Sequence, residues 1–470
     1  MSARQFGDGN RAMGSGIRGV DRGEPARNRG RLLSRAGTHS HRTAPSVLPG
    51  HSRDSAPAIV RCHHASRIGA SGRKSGPAWQ HRQIGGCPGR RQSGPVRKRV
   101  VLVGAGHAHL HILKNAAALR CIGAEVVIIA QGDFWYSGMA TGMLGGLSPP
   151  EADRVDIGEL AINSGTKLHL GTMIGLDRAT REVLLEDGRR IGFDLLSLNL
   201  GSAPPPLCGT GHSIYSVKPI RSLVELRNRI EEEWRGADPP VLRIAVVGGG
   251  VTGIEIAANL RALSDLHGRE MEITIYSRSA PLKHLPRGVA AALMRHLRTM
   301  NIEIRWPAAV TLAEENGVFL NDGTREDCDI VVNATGLVPS RIAARLDLPF
   351  DADGALIVDR FLTSTGDVSI FAAGDCIAFD GRALPRAGVY AVRQAPILLA
   401  NLGAELSGKP LIPFVPQKHY LAIVGLGHTS ALMLRGRLWF KGPPALWLKR
   451  WIDQRFVDSY RLGRTSINSN

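Results

Sequence analysis

The chain has 470 residues, long enough for two or three domains with separate cores, and a formal net charge of +18. Residues 1–99 hold 20 Arg and Lys against 4 Asp and Glu, so +16 of that charge sits there and the remainder is close to neutral. This distribution argues against a nucleic-acid-binding body, and no run of about 18 apolar residues is present to span a membrane.

Residues 1–97 are rich in Arg, Gly, Ser, Pro and His without helical or strand periodicity, which predicts a disordered basic tail. It lacks the apolar stretch of a secretory signal. Three readings stay open: an organellar targeting segment, a nonspecific polyanion-binding arm, or translation that begins near Val96. Six cysteines occur, Cys62, Cys87, Cys121, Cys208, Cys328 and Cys376, with no CxxC spacing, which predicts a reducing compartment and no redox disulfide.

Residues 99–110, RVVLVGAGHAHL, read as a buried strand, a glycine turn and a helix start. The pattern returns at 243–254 as RIAVVGGGVTGI. In GxGxxG the first glycine turns the chain and the second admits a pyrophosphate. The third lets helix and strand pack closely, with phosphate on the helix N-terminus. Gly248, Gly250 and Gly253 complete the motif, whereas Gly104 and Gly106 are followed by His109 at the third position. A second series matches at a constant offset of 135 residues: Asp187-Gly188 with Asp322-Gly323, Asp194 with Asp329, and Gly201 with Gly336. Two similar nucleotide-binding units in one chain follow from this order. Asp375, after the small-residue turn Ala373-Gly374, suits a carboxylate that accepts from sugar-like hydroxyls. His107, His109 and His111 are not expected to bind metal, because only two share a helical face and no Cys or carboxylate completes a set.

Further along, residues 435–456 interleave Arg435, Arg437, Lys441, Lys449, Arg450 and Arg455 with Trp439, Phe440, Trp447, Trp451 and Phe456. Pro443-Pro444 predicts a helix start, with Leu448, Ile452 and Phe456 recurring every four residues. Two readings of 435–470 stay open: peripheral contact with a membrane, or packing against the flavin domain or in a homodimer.

Gly104-Ala105-Gly106, Gly248 to Glu255, Ala334-Thr335-Gly336 and Ala373-Gly374-Asp375 resemble the pyridine nucleotide-disulfide oxidoreductase superfamily over about residues 98–405. GHAHLH, YSGM, VKPI and AVRQAP further resemble its type II NADH dehydrogenase branch, including the form associated with selenophosphate synthetase. The resemblance implies an α/β fold of two Rossmann-like domains. An FAD domain (98–211 and 336–405) would be interrupted by an NAD(P)H domain (212–335), followed by a small α+β extension (406–470). It places FAD against Gly104, Gly106, His107, Gln131, Ser137, Gly138, Gly201, Gly374 and Asp375. NAD(P)H would lie against Gly248, Gly250, Gly253, Ser277, Arg278, Thr335 and Gly336. Ser277-Arg278 replaces the acidic residue usual at a strand end that prefers NAD, which leans toward NADPH. Glu255 and Gln394 are the catalytic candidates. For Glu255 the alternative is a first-turn Glu favoured by the helix dipole.

With no cysteine pair, electrons would pass from flavin to an external small acceptor, a quinone among them, at a cytoplasmic or peripheral membrane location. A reductase for a protein partner or for a selenium or sulfur compound is the second reading. A Cys208–Cys376 sulfide-oxidising pair is a weaker variant. A non-enzymatic nucleotide-binding redox sensor is the alternative of another class.

Overall fold

The computed structural model describes residues 97–209, 213–236, 238–382 and 384–461, so the basic tail lies, but for its last residue, outside the described residues. β1 (Arg99–Val103) is buried from Val100 to Val103. Its β-branched, apolar run suits a parallel strand covered on both faces. β2 (Glu125–Ala130) pairs on one side with Val127 opposite Val101, and β3 (Leu195–Leu198) on the other with Leu196 opposite Val101. α1 (His107–Lys114) follows β1 across the glycine turn, and α2 (Ser137–Leu144) follows β2.

A second sheet repeats the plan. β4 (Leu242–Val247) lies parallel between β5 (Met271–Tyr276) and β6 (Ile330–Asn333) in a five-stranded sheet, with α3 (Val251–His267) leaving β4 and α4 (Arg287–Thr299) following β5. The chain then returns to the first sheet, where β7 (Asp367–Ala372) lies parallel to β3 and completes an eight-stranded order. The repeat extends to detail. Strands 173–177, 182–185 and 190–192 form one antiparallel meander, and 310–314, 317–320 and 325–327 form its counterpart. Asp194 accepts from the Arg99 amide at 2.6 Å, and Asp329 from the Arg243 amide at 2.8 Å, tying each meander to the start of its central strand.

α5 (Gly388–Leu406) covers the first sheet. Beyond it, β8 (Ala422–Gly425), β9 (Ala431–Arg435) and β10 (Leu438–Gly442) form a small antiparallel sheet that runs into α6 (Pro443–Asp458). Pro443 opens the helix where a missing N–H costs nothing. The face of α6 differs from expectation. Ala445, Leu446, Asp453 and Val457 are buried with Lys449 among them, and Trp447 and Trp451 point outward at 68% and 50% exposure. Phe456 turns inward to stack on Tyr136 at 4.3 Å instead of joining the exposed tryptophans. Charged side chains occupy the inner face because Tyr136, Gly138 and Asp453 offer partners there. Among the described residues, no helix is long and apolar enough to cross a membrane.

Candidate dinucleotide sites and the cleft between strand ends

The turn after β1 is built by glycine and by one unexpected residue. Gly104 adopts φ +89, and a Cβ there would overlap the Asn199 carbonyl oxygen. The Asn199 side chain accepts from the Ala108 amide at 3.2 Å and donates to the Ala373 carbonyl at 2.6 Å. It therefore links the first glycine turn to the Ala373-Gly374-Asp375 turn. Sequence reasoning missed it. The signal was present, since Asn199 stands where the second copy has Ala334. His109, in the third motif position, also has a structural use. Its Nδ1 is 2.6 Å from the Gly104 carbonyl and its Nε2 2.8 Å from the Ser197 hydroxyl. A carbonyl only accepts, so Nδ1 carries the proton and Ser197 donates to Nε2. Burial pushes its pKa down to about 4, opposed by the bond to Gly104. The imidazole thus does through hydrogen bonds what the third glycine does through close approach.

Gly104, Gly106, His107, Gln131, Ser137, Gly201, Gly374 and Asp375 line one cleft of about 740 Å³, together with Asn199 and Lys218. Gly138 is not with them. It lies against the Tyr136 ring, which leaves no room for a Cβ, and it faces a second pocket. Asp375 is bonded by Ser202 at 2.7 Å and by Lys218 at 2.9 Å. Burial would raise its pKa, but Lys218 and these hydrogen bonds outweigh it and hold the carboxyl below the usual range. Lys218 was a second omission, although it stands in the VKPI segment. His107 is pushed down to about 4 by burial and by Lys218, and its ring sits 4.9 Å from Phe134, edge-on. Gln394 stands behind the cleft, accepting from the Gly374 amide at 2.7 Å.

The second copy is more regular. Gly248 has φ +132 and abuts the Ala334 carbonyl, while a Cβ at Gly253 would overlap the Gly248 carbonyl. Gly250, the N-cap of α3, faces open space. Thr335 donates its hydroxyl to Asn333 at 2.8 Å, and Ser277 donates to the Ser279 carbonyl at 2.7 Å from a buried position. Arg278 beside it is exposed. Glu255 lies beyond the first turn of α3, which removes the first-turn alternative. It is bonded at 2.7 Å by the Gly425 amide of the C-terminal sheet. Burial raises its pKa against the pull of Lys449.

Neither α1 nor α3 has an acidic residue in its first turn or a side-chain bond from its own N-cap glycine, and in α1 the Asn199 side chain takes only the Ala108 amide. Both ends keep free amides for phosphate, and the cleft volume lies in the range for a bound cofactor. The residues present therefore fit a dinucleotide at each turn. The family described as pyridine nucleotide-disulphide oxidoreductase matches residues 98–395.

The chain belongs to this family.

It is accordingly an FAD-dependent NAD(P)H oxidoreductase. Two similar proteins are demethylphylloquinone reductase NdbB of Synechocystis sp. and putidaredoxin reductase CamA of Pseudomonas putida. NdbB is 26% identical over 382 residues, covering 76% of this chain and 91% of its own. CamA is 28% identical over 369 residues, covering 72% and 83%. The solved sulfide:quinone oxidoreductase of Aquifex aeolicus shares the fold, with TM-score 0.65 and 17% identity over 77% of this chain and 91% of that one. Unlike a disulfide reductase, this member of the family has no CxxC, and Cys208, Cys328 and Cys376 are free thiols.

Proposed function

We propose that this oxidoreductase passes reducing equivalents from NAD(P)H through FAD to a quinone-class acceptor. The carrying observation is the pair of glycine turns leading into the N-termini of α1 and α3, in a sequence without CxxC spacing. The similarity to a demethylphylloquinone reductase supports a quinone, and the similarity to a putidaredoxin reductase supports a protein partner as the second reading. In this reading the FAD domain comprises 98–211 and 336–405, and the NAD(P)H domain is 212–335. Gly104, Gly106 and the α1 amides hold the FAD pyrophosphate. Asp375, fixed by Lys218 and Ser202, accepts from its ribityl hydroxyls, and Gln394 orients the Gly374 amide. Gly248, Gly250 and Gly253 hold the nicotinamide dinucleotide. Ser277 turns its hydroxyl inward, so exposed Arg278 alone is left to favour a 2′-phosphate.

Bound FAD supplies a two-electron carrier, and the chain contributes orientation and exclusion of water. The test is anaerobic addition of NADPH and of NADH to the FAD-loaded protein, followed by menadione or ferredoxin-type partners. Flavin bleaching reversed by menadione is the expected result. A flavin that neither nucleotide bleaches would instead fit a redox sensor.

A further inference from the structure

Three polar side chains of the first fold stand where the second copy has apolar or small residues. Ser197 on β3 corresponds to Val332, Asn199 just beyond it to Ala334, and His109 on α1 to Gly253. All three are buried. A buried polar group costs free energy unless it is bonded, so its presence in one copy alone calls for a use. The three converge on one turn. Ser197 reaches the Gly104 carbonyl through His109, and Asn199 meets the Ala108 amide directly. The backbone is alike in both copies here. Asn199 donates its amide to the Val103 carbonyl at 2.9 Å, and Ala334 donates to Val247 at the same distance. The difference lies in the side chain.

That side chain is a clamp with two ends. Its oxygen accepts from the Ala108 amide in the first turn of α1, and its nitrogen donates to the Ala373 carbonyl. A Cβ on Gly106 would overlap the oxygen end and a Cβ on Gly374 the nitrogen end, so the carboxamide fills the space between the two turns. Gly106 and Gly374 belong to 98–211 and 336–405, the two stretches that residues 212–335 separate. Ala334 has no polar side-chain atom with which to make such a link.

We propose that Asn199 is the positioning residue that holds the pyrophosphate turn and the Asp375 turn at the spacing of one FAD. The site requires a donor at one end of this side chain and an acceptor at the other. The inference rests on the placement of FAD along this cleft given above. Asn199→Ala leaves the Ala108 amide and the Ala373 carbonyl without these partners. Asn199→Asp keeps the shape but brings two acceptors, so one oxygen faces the Ala373 carbonyl and a negative charge lies beside the phosphates. Protonated, the introduced carboxyl offers an O–H to Ala373 and a carbonyl oxygen to Ala108, and the pattern of the amide returns. Burial and the Ala373 oxygen both favour that protonated form.

The test follows release of FAD from the loaded full chain, by flavin fluorescence after dilution, at pH 8 and pH 5.5. Asn199→Ala should release FAD about tenfold faster than the native chain at both, the worth of one buried hydrogen bond. Asn199→Asp should release it about a hundredfold faster at pH 8 and come within about tenfold at pH 5.5. The titratable groups lining this cleft are His107, Asp133, Lys218, Arg341 and Asp375, with His109 behind the turn. All are common to native and variant chains, so a pH effect confined to Asn199→Asp belongs to the introduced carboxyl. Affinity for oxidised NADP and NAD, measured by equilibrium dialysis, should stay within about twofold, because the second fold does not use Asn199. Should these variants fail to fold, Asn199→Ser decides. It lacks the reach to span both turns and should release FAD about tenfold faster. Release within twofold of native in the variants that fold would overturn the inference. So would an Asn199→Asp chain that behaves as Asn199→Ala at both pH values, or a parallel loss of nicotinamide binding, since either means general loosening. Asp375→Ala separates this failure from that of the placement. If Asp375→Ala also releases FAD at the native rate, the placement of FAD in this cleft falls as well. If only Asp375→Ala speeds release, the placement stands and the role of Asn199 falls.

Discussion

Asp153 shows how one side chain can set a pH dependence far from any cofactor. It is fully buried in the 3-10 turn Pro150–Asp153, and neither carboxylate oxygen has a hydrogen-bond partner among the described residues. Burial pushes its pKa up from 3.8 to about 7, helped by Glu151 and opposed by Arg461. Arg461 is occupied nearby with the carbonyls of Glu151, Ala152 and Arg154. A folded-state pKa above the unfolded one means that folding favours the protonated form. That stabilisation is complete below pH 3.8 and is lost as pH rises through about 7. Asp153→Asn keeps the shape and cannot ionise. It should therefore be more stable than the native chain at pH 8, by a few kcal/mol at most, since a tenfold change in proton affinity is worth about 1.4 kcal/mol. The gap should narrow steadily as pH falls below about 7 and close only near pH 3.8. Urea titrations of both proteins across that range measure it, and a gap independent of pH would refute the assignment.

At the scale of elements, the two strand–turn–helix units make a matched pair of predictions. A Cβ at Gly253 overlaps the Gly248 carbonyl, whereas one at Gly250 meets nothing. Gly253→Ala should therefore disturb the packing of α3 on β4 and lower stability by about 1–3 kcal/mol, the usual cost of overpacking. Gly250→Ala should leave thermal unfolding within about 1 °C and still weaken nicotinamide binding, because its methyl points where a pyrophosphate approaches. Calorimetry with nucleotide titration separates the two, and equal thermal losses would contradict the geometry. These units were legible because glycine spacing and the Asp-Gly turns are local patterns, and local patterns survive in sequence. Asn199 stood out against Ala334 of the second copy, but its role was not legible, because its partners Ala108 and Ala373 lie 91 and 174 residues away. The inner face of α6 was misread for a related reason. Helical periodicity assumes that Lys449 and Asp453 seek water, and only Tyr136 and Gly138, more than 300 residues earlier, turn them inward.

Across the folded body, the C-terminal extension holds to both nucleotide folds. Gly425 bonds Glu255 on α3, and Lys441 Nζ lies 3.2 Å from His296 on α4. At its other end Phe456 packs on Tyr136, and Lys114 donates to the Ser459 carbonyl at 2.6 Å. Trp439 lies over Gly288, so part of the aromatic content of this segment serves packing. The most outward of its apolar side chains are Leu438 at 76% exposure, Trp447 and Trp451, with Arg450 and Arg455 exposed beside them. We propose that this face rests on an anionic membrane surface. The +16 carried by residues 1–99 would also draw the chain to such a surface, so binding alone does not discriminate. Salt does. At about 0.5 M the Debye length falls below about 6 Å and the attraction of a solvated basic segment is largely screened, while burial of indole is not. Flotation with phosphatidylglycerol-containing vesicles should thus retain the native chain in high salt. Trp447→Ala/Trp451→Ala should lose at least about tenfold in that condition, since each large apolar side chain contributes about 1.5–3 kcal/mol when fully withdrawn from water. At low salt the double variant should still float through its charge. If native and variant proteins float equally in high salt, the tryptophans face water or another protein.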